Sequence, residues 1–234
     1  MPISGRPLLE HWLCILYRNN VQRVLVNVHH HHRIVEEFLE QPQFRNWVSS
    51  IHEPELLGTA GTLSLCLDRF VGDTILLAHA DNWCNTNFSD FIDFHLNHRP
   101  EGTALTMMTF RTSSPQTCGI VELNCHGVLE RFHEKVQNPP GNLANGAVYL
   151  LEAEVIEWLQ KQPNLSDFST EVLPHFIGRT ATWENTDIHR DIGLLSSLVS
   201  AQTDPVLESC WPQISDWQLE FKNNPIHEML QFPI

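Results

Sequence analysis

The short apolar run Ile75–Ala78 constrains the fold more than any other part of this chain. Polar and apolar residues do not alternate in it, which predicts a strand buried on both faces, as in a sheet covered by helices. Ligands of open α/β sheets bind beyond the carboxyl ends of such strands. Asp81 follows the run closely, so it is either an acid that holds a metal or a ligand hydroxyl, or a cap for the next segment.

Further strand-like runs alternate with amphipathic helical segments along most of the 234 residues. This alternation predicts an α/β fold with a mixed, mainly parallel sheet. A hairpin is expected between residues 119 and 133, around a His-Gly turn. We expect one domain over residues 1–202, followed by a tail over 203–234 that packs on it through its tryptophans.

The charge balance limits the classes of partner. The chain has 14 Lys and Arg against 28 Asp and Glu, a net charge of −14. An acidic chain without a basic run is a poor candidate for binding nucleic acid or an anionic membrane, although it can still bind a small phosphorylated ligand. The six cysteines form no Cys-x-x-Cys pair, and no signal peptide or spanning segment is evident, so we expect reduced thiols in a cytoplasmic protein.

Four consecutive histidines, His29–His32, suggest a metal site at first sight. Adjacent helical residues point in different directions, so the four cannot all face one ion. A strand-to-helix turn is the favoured interpretation, and a metal site is the alternative.

Four other segments carry residues suited to chemistry, and each has a simpler structural explanation. The glycines at 58 and 61 suit a loop that approaches a ring or phosphate closely and offers free N–H groups. Glu134-Lys135 alone would be an exposed hairpin end, Asp191 alone a helix N-cap, and Asn145 alone a turn residue.

Taken in order, the segments resemble the sugar-phosphate nucleotidyltransferases, and within them the mannose-1-phosphate and heptose-1-phosphate guanylyltransferase-like enzymes. The resemblance runs from about residue 1 to 201. It rests on Gly5-Arg6-Pro7-Leu8-Leu9, Glu55-Leu56-Leu57-Gly58-Thr59-Ala60-Gly61-Thr62, Ala80-Asp81, Phe132-His133-Glu134-Lys135, Ala144-Asn145-Gly146 and Asp191-Ile192-Gly193. Ala80 and Leu194 depart from the Gly and Thr that are usual in the family.

The resemblance implies a Rossmann-like three-layer sandwich of the nucleotide-diphospho-sugar transferase type and a role for each segment. Asp81 and Asp191 would hold Mg²⁺, the implied cofactor, and with Lys135 form the catalytic group. The implied nucleotide contacts are Glu53, Leu57, Gly58, Thr59, Ala60 and Gly61. The implied sugar contacts are Gly119, Glu134, Lys135 and Asn145.

The implied reaction transfers a nucleoside monophosphate from a nucleoside triphosphate to a sugar 1-phosphate and releases pyrophosphate. GTP is the expected triphosphate. No nucleic-acid or membrane partner is expected, and a homo-oligomer is left open. A nicotinamide-dependent dehydrogenase is disfavoured because no Gly-x-Gly-x-x-Gly follows any strand.

Family members begin with a strand and a Gly-rich loop that ends in Arg and is followed by Pro-Lys, and Met1 aligns just behind that pair. We therefore expect the sheet to lack its first strand and the triphosphate to lack its main cationic clamp. Lys135, with Arg6 or Arg190, would be the cations left for the phosphates. The alternative function is an inactive relative that binds a nucleotide sugar or an active partner subunit.

Overall fold

The computed structural model describes residues 1–70, 72–162, 164–211 and 215–231. The strands, β1 to β12 in chain order, are Pro2–Ile3, Arg6–Pro7, Val24–Val28, Val48–His52, Ile75–Ala78, Asn82–Asn85, Leu105–Arg111, Gly119–Leu123, Leu129–Glu134, Leu143–Leu151, Thr180–Asn185 and Ile188–Asp191. The helices, α1 to α8, are Leu8–Arg18, His32–Leu39, Gly58–Leu65, Phe88–Asp93, Ala153–Leu159, Leu195–Ala201, Asp216–Lys222 and Ile226–Gln231. Within the ranges described, no helix is long and apolar enough to cross a membrane.

The chain divides into two compact units, each made of separate stretches of sequence. The first contains Met1–Leu56, Ala80–Asn85 and Ile188–Ile234, and the second contains Leu57–His79 and Thr86–Asp187. The predicted boundary between residues 202 and 203 stays a prediction. Residues 212–214 and 232–234 of the predicted tail lie outside the described residues.

Helix α1 provides much of the core of the first unit. Its apolar side chains are buried along most of its length, because it is covered by other elements of that unit on several sides. Leu13 packs with Phe38, Leu39, Phe44 and Val48 in one apolar cluster. The tail adds two aromatic side chains to this cluster, those of Trp211 and Trp217.

The histidine run forms the predicted strand-to-helix turn. Strand β3 ends at Val28, and α2 begins at His32. His31, just before the helix, has a φ of 54°, the left-handed conformation typical of a tight turn. Within the described residues, no group of three or more His, Cys, Asp or Glu side chains could hold a metal ion. The end of β3, the left-handed turn at His31 and the start of α2 confirm the turn interpretation.

The second unit is built on a six-stranded sheet in the order β11–β7–β10–β8–β9, with β5 also paired to β10. The nine-residue strand β10 lies antiparallel to β7 on one side and to β5 and β8 on the other. Leu105, Tyr149 and Leu151 of this sheet are buried in one core cluster. Apolar side chains of α3, α5 and the segment 168–176 complete the cluster.

The mixed α/β fold class is confirmed, but the expectation of a mainly parallel sheet is wrong. Among the described strand pairs, only β3–β4 and β7–β11 are parallel. Strand β10 lies between β7 and β8 and runs antiparallel to both. β8–β9 is the predicted hairpin, which is antiparallel as well. Most neighbours in this sheet are therefore antiparallel.

Strands β3 and β5 each have one described strand partner. β3 pairs with β4 in the first unit, and β5 pairs with β10 in the second. No other strand in the described ranges pairs with either of them.

The buried His11 of α1 makes the stability of the protein depend on pH. Burial, and secondarily the charge of Arg6, lower the pKa of His11 to about 4. In the unfolded chain its pKa returns to about 6.5. Its contribution to stability is therefore complete above pH 6.5 and is lost as the pH falls towards 4.

We expect His11→Gln to reduce the loss of unfolding free energy between pH 7 and pH 4.5 by about 2 kcal/mol relative to the parent protein, because the depressed pKa is removed. Urea denaturation at the two pH values measures this difference. The exposed His126 provides the control, since His126→Gln should leave the pH dependence of the parent unchanged. An equal pH dependence in His11→Gln and the parent would contradict the assignment.

Candidate active site

The pairing of β6 with β12 brings the two predicted metal-binding aspartates together in the first unit. Asp191 lies opposite Asn82 in this antiparallel pair, and Asp81 directly precedes Asn82. Opposed Cα atoms in such a ladder are about 5 Å apart. Asp81 and Asp191 therefore project from neighbouring backbone positions, and both are exposed.

Neither aspartate has the helix-capping role that was its structural alternative. Asp81 precedes a strand rather than a helix. The N-cap of α6 is Leu194, three residues beyond Asp191. Asp191 instead accepts the N–H of Gly193 through Oδ1 at 2.8 Å, which orients its carboxylate.

The donor set of this site fits Mg²⁺. Magnesium prefers oxygen ligands, and it commonly binds one or two carboxylates while substrate phosphates and waters supply the remaining positions. Asp81 and Asp191 provide two carboxylates, and no third His, Cys, Asp or Glu in the described ranges completes a metal cluster with them. An ion here would depend on a phosphorylated ligand, and its binding stays a prediction.

The two arginines expected to face phosphates both have acidic partners inside the first unit. Arg190 donates two hydrogen bonds to Asp204, from Nε at 2.7 Å and from Nη2 at 2.9 Å, and this pairing raises its pKa. Trp83, the cross-strand partner of Arg190, donates to the same carboxylate at 3.0 Å. Arg6 lies 3.5 Å from the buried carboxylate of Glu10. These contacts make both arginines structural.

Glu53 continues the β3–β4 pairing at the end of β4. Its N–H donates to the carbonyl of Val28 at 2.9 Å, and its own carbonyl lies 2.7 Å from Nδ1 of His29. The residue is almost completely buried. Its backbone thus fixes the first histidine of the run, and its predicted contact with a nucleobase stays a prediction.

In the second unit, the Gly-rich loop packs against a different partner from the one expected. Gly58 has a φ of 78°, and a Cβ there would lie 2.4 Å from the carbonyl oxygen of Ser166. That same oxygen accepts the N–H of Ala60 at 2.9 Å and of Gly61 at 3.4 Å. The expectation that these amides are free for a ligand is therefore wrong.

The loop is also anchored through Thr59 on the side next to Ser166. The hydroxyl of Thr59 accepts the N–H of Phe168 at 2.8 Å. Sequence reasoning missed Ser166 because the two segments are far apart in the chain, although a Gly-x-x-Gly loop does indicate a close backbone neighbour. Leu57, which precedes the loop, is exposed.

The β8–β9 hairpin brings three of the predicted sugar-binding residues together. Gly119 lies opposite Glu134 in the pair, and a Cβ on Gly119 would lie 2.7 Å from Oε2 of Glu134. Lys135, with a φ of 48°, lies 3.6 Å from the other carboxylate oxygen through Nζ, and two thirds of its side chain is exposed. Glycine at position 119 thus leaves room for a carboxylate, with an exposed ammonium beside it.

Asn145 lies on β10 where the strand is irregular. Its neighbour Ala144 pairs with Ile120, which places Asn145 near the start of β8. Its Nδ2 donates to the hydroxyl of Tyr149 at 2.6 Å, and its Oδ1 accepts the N–H of Ala147 at 2.9 Å. Bulges of this kind are frequent beside active sites, where they re-aim a side chain.

Two supporting groups around Asn145 were missed from the sequence. Tyr149 is fully buried, and burial raises the pKa of its phenol to about 12, so it stays protonated. Ser169 lies 3.4 Å from both the Asn145 amide and the Tyr149 hydroxyl. Ala147 is held with a φ of 52°, and its carbonyl accepts the N–H of His79 at 3.0 Å. The position of Asn145 is thus determined by its neighbours.

The sequence profile of the family described as Nucleotidyl transferase matches residues 1–206. This chain belongs to that family. The matched range includes Asp81, Asp191, the Gly-rich loop, the β8–β9 hairpin and Asn145, so the family assignment covers the candidate residues of each unit.

Curated relatives support the assignment at low identity. "Probable mannose-1-phosphate guanylyltransferase 3" of Oryza sativa subsp. japonica is 27% identical over 177 residues, which are 73% of this chain and 48% of the relative. "Mannose-1-phosphate guanylyltransferase catalytic subunit beta" of Dictyostelium discoideum is 27% identical over 175 residues, 73% of this chain and 47% of the relative. The chain thus spans about half the length of the curated relatives it matches.

Solved structures show the same fold. The crystal structure of a putative glucose-1-phosphate thymidylyltransferase from Bacillus anthracis in complex with a sucrose has a TM-score of 0.77 at 18% identity, covering 86% of this chain and 83% of that chain. HddC from Yersinia pseudotuberculosis, also solved in complex with GMP-PN, has a TM-score of 0.71 at 20% identity. The match covers 86% of this chain and 87% of that chain. The nucleotide-diphospho-sugar transferase type of fold is confirmed.

We expect Gly58→Ala to lower the free energy of unfolding by about 3 kcal/mol, because the added Cβ meets the Ser166 carbonyl and the backbone is left-handed. Two controls separate these causes. Gly72 has a φ of 83° and open space where a Cβ would lie, so Gly72→Ala should lower the free energy of unfolding by only about 1 kcal/mol. Gly141 has neither feature, so Gly141→Ala should change the free energy of unfolding by no more than about 0.5 kcal/mol. Urea denaturation of all three variants gives the ranking, and equal losses at positions 58 and 72 would disprove the close contact.

Proposed function

We propose that this chain is a sugar-1-phosphate nucleotidyltransferase that forms a nucleotide sugar and releases pyrophosphate. The observation that carries the proposal is the register of β6 and β12, which juxtaposes Asp81 and Asp191 within a chain of the nucleotidyl transferase family. Two exposed carboxylates on adjacent strands suit a cation that is shared with a triphosphate.

The reaction follows from the chemistry of its substrates. A phosphate oxygen of the sugar 1-phosphate attacks the α-phosphorus of the triphosphate, and a new oxygen–phosphorus bond forms. The bond from the α-phosphorus to the bridging oxygen breaks, and pyrophosphate leaves. Bound Mg²⁺ would neutralise the charge that develops on the phosphates. The protein chiefly positions the reactants and stabilises charge, and no covalent intermediate is needed.

Each part of the site has a proposed role in this reaction. Asp81 and Asp191 hold the metal. Lys135 neutralises the phosphate of the sugar 1-phosphate, and Glu134, which lies opposite Gly119 in the hairpin, accepts hydrogen bonds from sugar hydroxyls. Asn145 contacts the sugar from the β10 bulge. The residues Glu53, Leu57, Gly58, Thr59, Ala60 and Gly61 form the nucleotide contacts.

The glycine loop is proposed to act through its shape rather than through its amides. The N–H groups of Ala60 and Gly61 are already bound to Ser166, so they are not donors for a phosphate. The glycines at 58 and 61 instead allow the loop to pack closely against Ser166 and Leu165, which fixes the backbone shape that a flat base would contact.

GTP is the proposed triphosphate. The support is that matched relatives are named mannose-1-phosphate guanylyltransferases and that HddC was solved with GMP-PN. Mannose 1-phosphate and a heptose 1-phosphate are the first sugar phosphates to test. A cytoplasmic location and assembly as a homo-oligomer also stay predictions.

We expect Asp81→Asn and Asp191→Asn each to lower the rate of pyrophosphate release by about 100-fold or more, because the metal loses a charged ligand. The assay uses GTP, each sugar phosphate and Mg²⁺. Asp93→Asn, a neutralised exposed aspartate of α4, serves as the control and should retain the parent rate. Parent-like rates in both site variants would refute the metal-binding roles.

We expect Lys135→Gln to raise the KM for the sugar phosphate about tenfold, because a phosphate loses its cationic partner. Arg131→Gln is the matched control, since Arg131 is an equally exposed cation on the same hairpin. Initial rates at varied sugar phosphate concentration measure both values. If both variants change KM equally, the effect comes from net charge rather than from a specific contact.

An inactive relative is the second candidate, and one observation favours it. Arg6 and Arg190 are held by Glu10 and Asp204, so the phosphates lose two of the expected cations. Equilibrium dialysis separates the candidates: binding of GDP-mannose without pyrophosphate release from any triphosphate and sugar phosphate pair would establish an inactive binding protein. Pyrophosphate release above a no-enzyme control would exclude it.

A further inference from the structure

The tail segment Leu207–Trp211 lies along α1 in the first unit and is fixed near both ends of that helix. The guanidinium of Arg6 donates to the carbonyl of Leu207. At the other end, Arg18 donates to the carbonyl of Glu208 at 2.9 Å through Nη2. These two contacts bind adjacent carbonyls of the segment to arginines near opposite ends of the helix.

A buried carboxylate on α1 makes the docking of the tail integral to the unit. Glu10 has no exposed surface, and a buried charge is costly unless it is paired and hydrogen-bonded. The tail supplies two of its partners, the hydroxyl of Ser209 at 3.0 Å and Nε2 of Gln218 at 3.2 Å. Arg6 provides the opposite charge at 3.5 Å.

Cys14 of α1 lies between Arg6 and Arg18 in the sequence, and the docked segment places Cys210 directly against it. The N–H of Cys210 donates to Sγ of Cys14 at 3.3 Å, and Sγ of Cys210 lies 3.8 Å from the carbonyl of Cys14. The two thiols also interact with each other directly. Both cysteines are in the reduced form. Each sulfur thus contacts a backbone atom of the other cysteine, which makes the two thiols neighbours in the folded chain.

The two thiols are chemically unequal. Cys14 is completely buried in α1, and burial raises its pKa to about 11. Cys210 is partly exposed, and Nε of Arg18 donates to its sulfur at 3.4 Å. The hydrogen bond that Arg18 donates to Cys210 raises the pKa of Arg18, which reflects the attraction between the guanidinium and this sulfur. Thiols beside arginine and accessible to solvent are the ones that react with oxidants.

We propose that Cys14 and Cys210 are a redox-sensitive pair, which a hydroperoxide converts into a disulfide that locks the tail onto α1. The sulfur of Cys210 attacks the peroxide oxygen, the O–O bond breaks, and an alcohol or water leaves. The resulting sulfenic acid is attacked by the sulfur of Cys14. The S–S bond forms as the S–O bond breaks, and the hydroxide that leaves takes the thiol proton of Cys14 to give water. Two thiols lose two electrons, and one peroxide gains them.

Treatment of the full chain with a small excess of hydrogen peroxide tests the proposal without any assay of activity. The protein is then denatured, alkylated and analysed as an intact mass. We expect four alkylated thiols instead of the six of the reduced chain. A non-reducing digest should join the peptides that contain Cys14 and Cys210, and dithiothreitol should restore all six thiols. Hydrogen exchange of residues 203–211 should be slower in the oxidised form than in the reduced form.

Three variants make the test specific. Cys210→Ser should keep all five of its remaining thiols under the same treatment, and Cys14→Ser should accumulate a sulfenic acid at Cys210 that dimedone traps. Cys125→Ser removes an exposed cysteine and should still form the link. A digest that joins any other pair, or oxidation of Cys125 under conditions that leave Cys210 reduced, would overturn the proposal. So would over-oxidation of Cys210 in the parent protein without a bond to Cys14.

Discussion

The pairing of β6 with β12 is the contact on which the candidate chemistry depends. Four residues of each strand join two stretches that are far apart in sequence, and the register sets which side chains meet. A slip of one residue would place a different residue of β12 opposite Asn82 and so change which side chain lies beside Asp81. Asp204 stabilises the register by accepting hydrogen bonds from Trp83 and Arg190, one on each strand. Asp204, a third acidic residue, thus supports the strand pair that carries Asp81 and Asp191.

Local patterns predicted much of the fold, and long-range contacts account for what they missed. The strand at Ile75–Ala78, the hairpin near Gly119 and the turn at His31 each depend on neighbouring residues, and all three are confirmed. The burial expected for that strand is wrong for three of its residues, since only Ile75 is buried. The direction of strand pairing depends on the order of the strands in the sheet, where β10 lies between β7 and β8, and was predicted wrongly for most of the sheet. The acidic partner of Arg190 could not be predicted either, because proximity in the fold is not encoded by spacing in the sequence.

The candidate site shows the same division between local and long-range information. Ordered motifs placed Asp81, Glu134 and Asn145 on the elements where the structure has them. Their surroundings were not predictable, since the groups that hold them come from other segments. Ser166 is an example: its carbonyl takes up two loop amides from a distant stretch of chain. Motifs can therefore name the residues that chemistry requires, while packing decides which of their atoms remain available.

The aromatic environment of Trp211 gives the protein an intrinsic optical reporter. The indole of this tail residue lies 5.5 Å from the ring of Tyr17, 4.9 Å from Phe44 and 6.3 Å from Trp47, measured between ring centroids. Fluorescence of an indole shifts to longer wavelength when water replaces such neighbours. Undocking of the tail would therefore be visible in the emission spectrum, without a dye or a label, on the timescale of a stopped-flow mixing experiment.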